Sequence, residues 1–215
     1  MQYQYIIMCG GKYDQWETPR HLLKINGECI VERTIRLLRE AGVNDIIIST
    51  NQPGFENFGV PTLWHQNSYH TRGYNDSDGN WYDAFYLTGV APVCYIFGDV
   101  VFSPEAIKTI VETETDDIEF FASAPPFDKK YFKPYAEPFA FKVKDVQKFR
   151  DALFRLRRYD RYNLFYRKPI AWELWQVIKE TPLNIIDYTN YTAINDYTCD
   201  IDSPQDLEGF KWLNT

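Results

Sequence analysis

The scarce features of this chain narrow its chemistry first. Its 215 residues include three histidines, two methionines and four cysteines. Cys9, Cys29, Cys94 and Cys199 are far apart and form no Cys-x-x-Cys pair. That sets aside a zinc ribbon or a disulfide framework and fits reduced thiols in a cytoplasmic protein. No run approaches the ~20 apolar residues that span a bilayer. The start, Met1 to Met8, also lacks the charged head and long apolar stretch of a signal peptide. Positive charge is in deficit, with 23 Lys and Arg against 30 Asp and Glu and a formal charge of −7. Neither nucleic acid nor a membrane is therefore expected as a partner, and a polyanionic ligand needs a local cationic cluster. The phosphate loops G-x-x-x-x-G-K-[ST] and G-x-G-x-x-G are missing too. So is any obvious Cys–His or Ser–His pair; His21, His65 and His70 fall in expected loops, where solvated imidazoles are the plain reading.

The remaining composition is that of a globular chain, 45% apolar and 25% charged, with an aromatic share of 17% that suits aromatic-walled pockets. The length fits one domain, 1–215, with a small lobe. Tyr3 to Cys9 is a near-continuous apolar run ending in Gly10-Gly11, the pattern of a central parallel strand entering a turn. From Ile30 the apolar residues fall on one helical face up to the stop at Gly42, and Asp45 to Thr50 is a second buried strand. Strand, helix and strand make a right-handed βαβ unit, which implies a parallel sheet covered by helices. Further strands are expected at 60–64, 93–97, 119–122, 139–143 (antiparallel) and 185–188. Short or regular helices are expected at 80–88, after Ser103-Pro104, at 145–156, at 170–179 and after Ser203-Pro204. The whole is a three-layer α/β core, its mostly parallel mixed sheet carrying helices on both faces, with an irregular lobe inserted at 123–180.

Ligands of open α/β sheets bind outside the carboxyl ends of the strands. Three features converge there: Gly10-Gly11, Asp99 after the strand 93–97, and Asp200-Ile201-Asp202 before the last helix. The glycines let backbone N–H groups approach a phosphate, and Lys12, Arg20 and Lys24 are near enough in sequence to neutralise it. Two carboxylates ~4 Å apart repel by about 4 kcal/mol at an effective dielectric of 20, so a convergent Asp pair invites a divalent cation. Asp206 is set aside as the capping-box partner of Ser203.

At this point the chain resembles a known family. Gly10-Gly11, Pro19-Arg20-His21-Leu22-Leu23-Lys24-Ile25-Asn26-Gly27, the helix running to Ala41-Gly42, Phe97-Gly98-Asp99 and Asp200-Ile201-Asp202-Ser203-Pro204-Gln205-Asp206-Leu207 are similar, in order and spacing, to the signature of nucleotidyltransferases. The pattern is closest to that of the bacterial cytidylyltransferases. The resemblance implies a nucleotide-diphospho-sugar transferase (GT-A-like) fold and Mg²⁺-dependent nucleotidyl transfer. It implies that Met8, Cys9, Gly10 and Gly11 line the nucleotide, that Arg20 replaces the family's phosphate-binding Lys, and that Asp99 and Asp202 hold Mg²⁺. Lys12-Tyr13-Asp14-Gln15-Trp16 stands where the family has its second Gly and its Arg, and Lys12 is the residue able to compensate.

The expected partners are a nucleoside triphosphate, CTP favoured, and a phosphorylated sugar, polyol or alcohol. Asn75, Asp76, Asp78, Gly79 and Asn80 are candidates for contacting base or ribose, against the plainer reading of an exposed polar loop. Residues 155–168 carry six cations against the single Asp160. Arg157, Arg158, Arg161 and Arg167 there are candidate acceptor contacts, or else a solvated helix face. Trp172 to Trp175 reads as core or as the interface of a homodimer. Two other functions stay open, a GT-A-like glycosyltransferase using Asp200-Ile201-Asp202 and a nucleotide-binding protein that has lost transfer.

Overall fold

The computed structural model describes residues 2–11, 17–65, 81–85, 92–123, 125 and 136–210. Lys12, His70, Asn75, Asp76, Asp78, Gly79 and Asn80 lie outside them.

Tyr5, Ile6, Ile7 and Met8 offer no polar side to water, so β1 (Gln4–Met8) is buried on both faces. The short arms β2 (Lys24–Ile25) and β3 (Glu28–Cys29) follow, joined by Asn26 and Gly27, both at positive φ. Helix α1 (Ile30–Glu40) buries Val31, Ile35 and Leu38 and ends before Gly42, whose φ of +87° closes it. Then come β4 (Ile46–Thr50), β5 (Thr62–Trp64), β6 (Val93–Phe97) and the two-residue β7 (Val100–Val101). Ser103 caps α2 (Pro104–Glu112), its Oγ accepting from the Ala106 N–H at 2.9 Å. β8 (Ile118–Ser123), β9 (Glu137–Val143), α3 (Val146–Arg161), α4 (Ala171–Lys179), β10 (Thr192–Ala193), β11 (Cys199–Asp200) and α5 (Pro204–Gly209) complete the order.

The seven-stranded sheet runs β10-β8-β9-β6-β1-β4-β5. β5, β4, β1 and β6 are parallel, and β9 runs antiparallel to both of its neighbours. Side-chain parity assigns the helices to faces. Tyr95, Phe141 and Phe120 stand opposite one another across β6, β9 and β8, and on that face they meet Phe149 of α3 and Trp172 and Trp175 of α4. Lys142, one residue on, points to the other face and reaches the carbonyls at the end of α2, against which α1 packs. The molecule is therefore the three-layer α/β fold expected of the sequence, and the Trp172–Trp175 segment is core.

Two local expectations change. Where a helix over 80–88 is expected, the described part is one 3-10 turn, Trp81–Ala84, anchored by the buried Tyr82, whose hydroxyl donates to Asp160 at 2.6 Å. Residues 185–188 form no strand: the Gln176 amide holds the carbonyls of Pro182 and Ile185, each at 2.6 Å, so that segment follows α4 and β10 closes the sheet instead. Within 123–180, β9 is an inner strand of the sheet and α3 and α4 cover its face.

Candidate active site at the carboxyl edge

Because β1 and β6 are adjacent and parallel, the diglycine turn and Asp99 leave the sheet side by side. The Gly98 N–H donates to the Met8 carbonyl at 3.0 Å. A Cβ on Gly98 would sit 2.6 Å from that carbonyl and from the Cys9 sulfur, so a side chain has no room there. Gly11 takes φ +97° and gives its N–H to Asn51 Oδ1 at 3.1 Å, which ties the turn to the end of β4.

Asp202 reaches this edge from the far end of the chain. β11 pairs antiparallel with β7, Asp200 opposite Val100, and the Ile201 N–H donates to the Asp99 carbonyl at 2.9 Å. Asp206 is the capping partner, accepting from the N–H and hydroxyl of Ser203 at 2.7 and 2.9 Å. Arg20 thus lies between Asp99 and Asp202 and bonds to both. Its Nη2 donates to Asp99 Oδ2 at 2.5 Å, and its Nη1 to Asp202 Oδ1 at 2.5 Å and the Ile201 carbonyl at 2.7 Å. The guanidinium is 2% exposed, whereas the carboxylates are 21% and 44% exposed. A planar fork can join two carboxylates in this way; a compact ammonium presents no such pair of parallel edges.

A cleft of about 380 Å³, within the usual size for a small-molecule site, opens over this edge. Met8, Gly10, Arg20, Asp99 and Asp202 line it together with Trp81 and Tyr188, which sequence reasoning did not single out. Of the four candidate acceptor arginines, Arg167 lines the cleft, its Nε donating to the buried Glu173 at 2.6 Å. Arg157 turns instead to Asp83 at 3.0 Å, and Arg158 and Arg161 lie at the end of α3, away from the cleft lining. Arg157 is thus paired with a buried carboxylate, whereas Arg158 and Arg161 are exposed.

The histidines correct the expectation of solvated imidazoles. His21 is buried beside Phe55, ring centroids 5.9 Å apart, and also lines the cleft. Burial lowers its pKa to about 4, with Asp99 opposing and Arg20 assisting, so it is neutral at pH 7. His65 is buried as well, its ring 3.1 Å from where a Gly10 Cβ would stand. The apolar neighbours Leu22 and Leu23 and the preceding Pro19 were the available signal for His21. Beside the cleft, Glu137, Cys199 and Asp200 bring potential ligand atoms within 4.8 Å of one another.

Residues 5–154 match the MobA-like NTP transferase domain. The chain belongs to that family. Its NTP transferase fold is shared with the CTP:phosphocholine cytidylyltransferase of Streptococcus pneumoniae, at 16% identity, full coverage of both chains and a TM-score of 0.58. The 2-C-methyl-D-erythritol 4-phosphate cytidylyltransferase of Thermus thermophilus is similar at 12% identity, covering 100% of this chain and 99% of its own, with a TM-score of 0.60. The inositol-1-phosphate CTP transferase of T. maritima gives 14%, 97% and 95%, and 0.55. No curated protein sequence matches. Among the described residues no helix of this NTP transferase is long and apolar enough to cross a membrane.

Proposed function

We propose that this NTP transferase moves a nucleoside monophosphate, CMP by preference, from a triphosphate to a phosphorylated sugar, polyol or alcohol and releases pyrophosphate. The observation that carries the reading is that Asp99 and Asp202 both reach Arg20 and line one cleft with Gly10 of the diglycine turn. Support for CMP comes from the cytidylyltransferases that share the fold. Three carboxylates, Asp99, Asp200 and Asp202, line the cleft, and the guanidinium of Arg20 offsets only part of their charge. This all-oxygen set fits a hard divalent ion such as Mg²⁺, held by Asp99 and Asp202. Bound there, Mg²⁺ would neutralise charge on the triphosphate and on the departing pyrophosphate.

The chain's own groups do the positioning. An acceptor phosphate is already ionised near neutrality, so it attacks the α-phosphorus without a general base, and orientation and fixed charge supply the catalysis. Neutral His21 offers a hydrogen bond without adding charge. Trp81 and Tyr188 give apolar walls for base or acceptor, and the Gly10 backbone leaves room for a close ligand. Lys12, in place of the family's missing arginine, and Asn75, Asp76, Gly79 and Asn80 stay in this proposal as the nucleotide contacts expected from the sequence alone.

The test is pyrophosphate release from each of the four triphosphates with a panel of phosphorylated alcohols and sugars. Release with one acceptor class establishes the activity and names its substrate. No release and no nucleotide binding overturn it. Arg20's closure of the carboxylate pair favours one alternative, a nucleotide-binding protein without turnover; tight binding with no pyrophosphate would decide for that alternative.

A further inference from the structure

We propose that Arg20 is a counter-cation that keeps free divalent ions off the Asp99–Asp202 pair, so that the ion enters with the triphosphate and not before it. The inference rests on the reading of these carboxylates given above and adds an order of binding to it. Each carboxylate gives one oxygen to the guanidinium at 2.5 Å, and a third bond, to the Ile201 carbonyl at 2.7 Å, fixes Nη1 in place. The Arg20 side chain springs from a 3-10 turn, Arg20–Leu22, behind Pro19, so its backbone is firmly placed. An ion arriving alone must share both carboxylates with a buried cation in contact with them, and like charges at that range repel strongly. A triphosphate changes the exchange in two ways. Its oxygens offer the guanidinium charge-assisted bonds in place of the carboxylates. They also complete the ion's coordination, since Mg²⁺ is commonly held by one or two carboxylates plus substrate phosphates.

The arrangement assigns Arg20 a positioning role that a metal-binding measurement reads without turnover. Mn²⁺ alone, titrated into the full chain and followed by electron paramagnetic resonance, is the probe. Wild type should bind Mn²⁺ at least about tenfold more weakly than Arg20→Gln, roughly one unit of log affinity. Arg20→Lys, which keeps the charge but loses the fork, should fall between them. If Arg20→Gln does not fold, wild type alone still decides: millimolar Mn²⁺ should leave its Tm unchanged without nucleotide and raise it beyond the effect of the triphosphate alone when CTP is present, because only a bound ion stabilises. Tight Mn²⁺ binding by wild type without nucleotide, lost in Asp99→Asn, overturns the proposal and leaves nucleotidyl transfer standing. Failure of both wild type and Arg20→Gln to bind Mn²⁺, with or without a triphosphate, overturns the proposal and the metal role of the pair together.

Discussion

Two side chains with full positive charge lie inside the described part of this molecule, Arg20 and Lys142, each 2% exposed. Their surroundings differ in kind. Lys142 projects from β9, and its Nζ donates to the carbonyls of Ile110, Val111 and Thr113 at 3.0, 2.8 and 2.7 Å, with the Tyr3 ring 4.7 Å away. These are carbonyls that the end of α2 leaves without a helical donor, at the negative end of the helix dipole. Burial holds the Lys142 pKa below its ordinary value, with Cys94 and Glu114 opposing. Backbone carbonyls in that place have no ligand chemistry to turn to, so Lys142 fastens α2 to the sheet. Arg20 is held by carboxylates at the mouth of a cleft, groups that have another chemistry when a ligand arrives. Burial of a charge does not mark a site; the exchangeability of its partners does.

The sharpest way to break this contrast is to strike the carboxylates. Asp99→Asn and Asp202→Asn should each lower pyrophosphate release by about 10²–10³-fold, the usual scale for losing a charge-stabilising group. Normal turnover in either variant would remove it from the site. Next in size, Lys142→Met should cost about 2–4 kcal/mol in urea unfolding, since it leaves buried carbonyls without a donor. Its kcat should stay near wild type where the chain is folded, and a large loss of kcat would erase the distinction between the two cations.

Acidification tests the neutral group next to Arg20. His21 has a pKa of about 4 folded against 6.5 unfolded. Between those values the unfolded chain binds more protons, so stability is complete above about pH 6.5 and falls toward pH 4, by up to about 1.4 kcal/mol per unit. Denaturation midpoints at pH 7, 5.5 and 4.5 should show that slope, and His21→Gln should flatten it. The smallest effect belongs to the cations at the end of α3. Arg158→Ser and Arg161→Ser should alter stability by less than about 0.5 kcal/mol and leave the acceptor KM unchanged, because neither lines the cleft. A raised KM would restore them as acceptor contacts.

The strands that carry the site were legible because they are almost wholly apolar. Tyr5 to Cys9 and Val93 to Phe97 admit no solvent face, and glycine follows each, which located the edge. The terminal helix was legible from its capping chemistry at Ser203 and Asp206. The pairing of Arg20 with both carboxylates was not legible, because it depends on β7 meeting β11, two-residue strands too short to leave a periodic pattern. His21 and His65 looked like loop residues for a similar reason: their burial comes from Phe55 and Gly10, contacts made across the fold. Trp81 and Tyr188 enter the cleft from irregular segments, whose placement no local rule dictates.

The crowding at Gly98 has a mechanical consequence. With the Met8 carbonyl and the Cys9 sulfur filling the space of any side chain, the ends of β1 and β6 are welded into one rigid jaw. Tyr188 and Arg167, which line the same cleft, stand instead on backbone outside any helix or strand.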